Sequence, residues 1–82
     1  MTSSDIRALI LARLVQQHGG SRSTWSRALG ELQVYGMSTH PHCNWDARPT
    51  GSSAQVEKIG HVVDEMRALH PHIEQAVERR GH

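Results

Sequence analysis

The chain contains no phenylalanine, and its whole aromatic complement is two tryptophans and one tyrosine. Its core must therefore come from leucine, isoleucine, valine, methionine and alanine, supplemented by Trp25 and Trp45. Such a composition suits helix packing better than a sheet. Cysteine is nearly absent too. Cys43 stands alone, so no internal disulfide can form, and a reducing compartment is the expected setting. The longest apolar run, Ala8 to Leu14, is far too short to span a bilayer and carries Arg13. No signal-peptide pattern precedes it, and a soluble, cytoplasmic protein is expected. Glycine-rich phosphate loops, paired carboxylates on one face and nucleophile motifs are all missing, which points away from catalysis.

What is present is helical periodicity. Val56, Ile59, Val63, Met66, His70, Ile73 and Val77 recur at steps of three and four and lay one stripe along a helix. Ser52-Ser53-Ala54-Gln55 offers a capping box at its start. Pro71 falls inside the pattern, so the helix is kinked or broken there, with a stop near His70 and a short restart favoured. Ile6, Leu9, Ile10, Leu11, Leu14 and Val15 give an earlier helix a broad apolar face, and His18-Gly19-Gly20 ends it. Thr2, Ser3 or Ser4 supplies its cap, with Asp5 in the first turn. A second helix begins at Ser21 or Ser23, buries Trp25, Ala28, Leu29, Leu32 and Tyr35, and ends at Gly36. Gly30 would weaken its middle by about 1 kcal/mol. Met37 to Gly51 has no periodicity and reads as a long loop that Trp45 must anchor. The 82 residues are thus expected to form a single all-α domain of three principal helices.

Net charge is only +1, but its distribution is uneven. Residues 1–30 carry Arg7, Arg13, Arg22 and Arg27 against Asp5 alone, whereas residues 51–82 hold five acids and four bases.

The stretch Ser21-Arg22-Ser23-Thr24-Trp25-Ser26-Arg27-Ala28-Leu29 resembles the turn and recognition helix of helix-turn-helix repressors, especially the lactose-repressor family. Its members often read Ser-Arg-Ser-Thr-Val-Ser-Arg-x-Leu there. The resemblance implies a short helix lying in the major groove, with the first helix as its brace. It implies DNA contacts from Arg22, Ser23, Ser26 and Arg27. Trp25 stands where those families carry a small aliphatic residue. They also have a further helix ahead of the pair, whose place the C-terminal helix would take here. The plainer reading is an ordinary capped amphipathic helix with solvated arginines.

His40, His42 and Cys43 lie close together, with His61, His70 and His72 elsewhere. These are zinc-ligand types, but the spacing matches no common ligand pair, and no metal or cofactor is expected. Short, histidine-rich and helical, with a tryptophan-anchored loop, the chain is also similar to small early-region proteins of bacteriophages. That resemblance implies action by binding, either to DNA as a regulator or to a host protein as an inhibitor, and for a host protein His40, His42 and Trp45 are the candidate contacts. The apolar stripe is read first as a core face. Its second reading is a homodimer seam through the C-terminal helix, with His70 setting register. A non-catalytic DNA-binding regulator is the leading expectation, a protein-binding modulator the second, and a zinc-stabilised adaptor the third.

Overall fold

Gly30 decides the architecture. In the computed structural model, which describes residues 1–36, 38, 39 and 41–74, this glycine has φ +70° and its N–H donates to the Ser26 carbonyl oxygen. A left-handed residue of this kind closes a helix, and glycine adopts it without steric cost. The second helix therefore stops at Leu29 instead of running on to Tyr35. Leu32-Gln33-Val34, expected as its last turns, is a strand. Leu32 and Val34 pack on the core while Gln33 faces solvent, the period-two pattern of a half-buried strand.

The all-α expectation is thereby corrected. Three helices, α1 (Ser3–His18), α2 (Arg22–Leu29) and α3 (Ser53–Leu69), combine with β1 (Leu32–Val34) and β2 (Trp45–Ala47) in an α+β fold. The strands pair antiparallel, with Leu32 opposite Ala47 and Val34 opposite Trp45. The long structureless loop expected from Met37 to Gly51 thus contains β2. The helices pack pairwise, α1 also meets β1, and α3 meets β2. Ile6, Ile10, Leu14, Leu29, Trp45 and Ile59 form the fully enclosed centre of the core.

Capping chemistry sets the helix boundaries. Thr2 caps α1: the Asp5 N–H donates to its hydroxyl, and its own N–H donates to the Asp5 carboxylate. Ser52 and Gln55 form the same reciprocal pair on α3, as the capping box predicts. Leu9, placed on the apolar face by spacing, is instead 40% exposed. On α3, Ile59, Val62, Val63 and Met66 are buried within the chain itself, so these members of the stripe form a core face. Leu69 at its end is 60% exposed.

Pro71 ends the pattern as expected, with His70 closing α3. No helix restarts in residues 71–74; they run extended beside the N-terminus instead. Glu74 donates its N–H to Met1 and accepts from Ser3. Ile73 keeps its place in the core without being helical, and Val77 lies outside the described residues.

Hydrogen bonds from Thr2, chiefly its backbone N–H, hold the Asp5 carboxyl below its usual value. A carboxyl depressed in the folded state stabilises above its unfolded pKa, about 4, and that contribution is lost as pH falls through the folded value. The melting temperature of Asp5→Asn should therefore lie below wild type at pH 6 and converge with it towards pH 3. A gap that stays constant across that range would show that the ionised carboxylate contributes nothing.

Candidate nucleic-acid interface on the second helix

α2 is short, and one turn connects it to α1. Gly19 and Gly20 have φ +74° and +83°, a left-handed pair that reverses the chain immediately before the Ser21 cap. Ser21 accepts the Thr24 N–H at 3.1 Å. Eight residues of helix would be marginal alone, so the position of α2 must come from tertiary contacts.

Three of them fix it. Trp25 is buried, and its indole N–H donates to the Gly19 carbonyl at 2.7 Å, locking the turn; His18 lies tilted against its ring. From α1, Arg7 Nε donates to the Gly30 carbonyl, and Arg7 Nη2 donates to both the carbonyl and the hydroxyl of Ser26, each at 2.9 Å. A guanidinium there satisfies the Gly30 carbonyl, gives the Ser26 carbonyl a second donor beside the Gly30 N–H, and sets a cation at the negative end of the helix. From the other side, the Thr50 N–H donates to the Ala28 carbonyl at 2.8 Å. The helix is held along its inner side and at both ends, while Arg22, Ser23, Thr24 and Arg27 are exposed.

The described arginines fall into two sets. Arg7 braces α2, Arg13 pairs with Glu65 at 2.9 Å, and Arg67 bridges α3 to the loop. Arg67 Nε donates to Cys43 Sγ at 3.3 Å, and Arg67 Nη1 stands 3.9 Å from Asp46. The Cys43 hydrogen bond raises the Arg67 guanidinium further above its ordinary value, with Asp46 and Asp64 adding to it. Arg22, Arg27 and Arg48 form the second set: all three are exposed, and none has a hydrogen-bond or ion-pair partner among the described residues.

Arg22 is the most informative of these. It occupies the first position of α2, where the helix dipole disfavours a cation, and no acidic residue shares that turn. The placement costs about 0.3–1 kcal/mol and has no compensating contact among the described residues. Local choices that oppose stability concentrate at functional positions.

Ser23 and Arg27, four residues apart, share a face that is open to solvent. Ser26, the fourth expected contact, is half-buried and its hydroxyl is engaged by Arg7, so its role is to hold the helix. Spacing put Arg7 on the wet face of α1 and gave no sign of this brace.

The other expected sites scatter. Trp45 is fully buried, as its anchoring role requires, and its indole N–H donates to the His70 carbonyl at 2.7 Å. It presents no surface to a partner. His42 is exposed, and His40 lies outside the described residues. His72 Nε2 meets the Pro41 carbonyl, and His61 is exposed on α3. Among the described residues no three histidine, cysteine or acidic side chains come together as a metal site. No helix among them is long and apolar enough to cross a membrane. Asn44, a polar loop residue with no distinguishing sequence signal, is buried and bonded to both flanking segments. No family model matches this chain, and neither a curated protein nor a solved structure matches it.

Proposed function

We propose that the protein is a small non-catalytic regulator that binds double-stranded DNA through the exposed side of α2. The observation that carries this reading is the unpartnered pair Arg22 and Arg27 on a helix fixed by Arg7, Trp25 and Thr50. A rigid helix carrying guanidinium groups and small polar residues fits the major groove, where arginine pairs with guanine edges or phosphates. Ser23 joins the contact set, and Ser26 supports it from behind. A cytoplasmic setting, where the Cys43 thiol stays reduced, belongs to the same reading. With few contacts per chain, two copies on adjacent half-sites would strengthen binding.

Arg22→Ala and Arg27→Ala should both fold as wild type, because neither side chain has a partner among the described residues. In an anisotropy titration against duplexes selected from a random pool, each should weaken binding by about 1–3 kcal/mol. Unchanged affinity in both variants would remove α2 from the interface. The competing reading, a protein partner docking on the loop, keeps only His42 among its described contacts, since Trp45 is buried.

A further inference from the structure

α2 and the turn entering α3 enclose an open groove of about 320 Å³ lined by Thr24, Arg27, Ala28, Thr50, Gly51 and Gln55. Its walls meet closely at Gly51, where a methyl group would come within 2.9 Å of the Ala28 Cβ. Three side-chain donors reach this largely apolar groove. Arg27 brings a guanidinium, Thr50 a hydroxyl, and Gln55 an amide nitrogen whose oxygen is already taken by the Ser52 N–H. None of these three donor groups has an acceptor among the described residues. No carboxylate lines the groove, and Arg48 is exposed just ahead of the Thr50 wall. Donors of this kind, including one permanently charged guanidinium, together with no competing acid, match a phosphate oxyanion. A neutral ligand would leave the guanidinium unpaired, and a cation would be repelled.

We infer that this groove is a phosphate site, and that on DNA it receives a backbone phosphate beside the α2 contacts. This rests on the reading above and divides its labour: Arg27 positions the duplex through the phosphate, leaving Arg22 and Ser23 to meet base edges. The phosphate belongs either to the nucleic-acid backbone or to a free phosphate species, and two arms of one experiment separate these sources.

The first arm titrates inorganic phosphate into the whole protein at low salt, read by amide and arginine side-chain NMR shifts. The expected result is saturable movement of the Thr50, Gly51 and Gln55 amides and of Arg27 Nε. That movement should be lost in Arg27→Gln and weakened several-fold in Thr50→Val. The second arm compares duplexes of different sequence. Arg27→Gln should weaken all of them by the same factor and reduce the salt slope by about 0.9, one phosphate's worth, while Arg22→Ala should weaken some sequences more than others. Groove shifts with phosphate but no duplex binding would assign the site to free phosphate and end the DNA reading alone. Duplex binding with an unperturbed groove, or a loss in Arg27→Gln that varies with sequence, would overturn the phosphate assignment and leave the DNA reading in place. Shifts confined to other residues in the first arm would overturn it too.

Discussion

Trp45→Ala should lower stability by about 3–5 kcal/mol, close to all that an 82-residue domain holds in reserve. Trp45 is the largest fully enclosed side chain, and it sits where β2, α3 and the segment after α3 converge. Its removal leaves a cavity in a close-packed core. It also strands the His70 carbonyl, which accepts the indole N–H at 2.7 Å. Chemical denaturation followed by far-ultraviolet circular dichroism is the check. The variant should be largely unfolded in buffer, and an unfolding midpoint equal to wild type would contradict the enclosure of Trp45.

Asn44→Ala should have the next largest effect, about 2–4 kcal/mol. The Asn44 side chain does the work of a missing third strand. Nδ2 donates to the Tyr35 and Ile73 carbonyls at 3.2 and 2.8 Å, and Oδ1 accepts the Ile73 N–H at 2.8 Å. Its own backbone N–H goes to Pro71. One amide therefore ties the ribbon to the segment that leaves α3, inside the core. Truncation strips the buried Ile73 N–H and carbonyl of the partners Asn44 gives them, and each such loss carries a desolvation penalty in place of a modest hydrogen-bond gain. Amide exchange offers a local readout: the Ile73 N–H should lose its protection in the variant more than the α1 amides do. Equal loss at both places would mean global destabilisation without a local clamp.

These two residues mark the limit of what the sequence revealed. α1 and α3 were legible because apolar spacing of three and four is a local signal, as are the Ser52–Gln55 capping box of α3 and the Thr/Ser cap candidates ahead of Asp5 on α1. The burial of both tryptophans followed from the shortage of other large apolar side chains. The ribbon was not legible. Gly30 lies where a helix periodicity still fits Leu32 and Tyr35, and its left-handed conformation, which ends α2, leaves no trace in composition. β2 is three residues long within a proline-flanked polar stretch, and its pairing with β1 depends on contacts distant in sequence. Of the candidate site, Arg22, Ser23 and Arg27 were found through a local resemblance. The Arg7 brace and the Thr50 tether, which join α2 to segments about twenty residues away, required the tertiary structure.

The most direct measurement is the affinity of the wild-type chain for a duplex selected from a random pool, determined at several salt concentrations. If exposed Arg22, Arg27 and Arg48 meet phosphates and base edges, log affinity should fall linearly with log salt. The expected slope is about −2 per chain, from about 0.9 for each phosphate met by Arg27 and Arg48. A slope near zero, or no duplex bound even at low salt, would contradict DNA binding by α2.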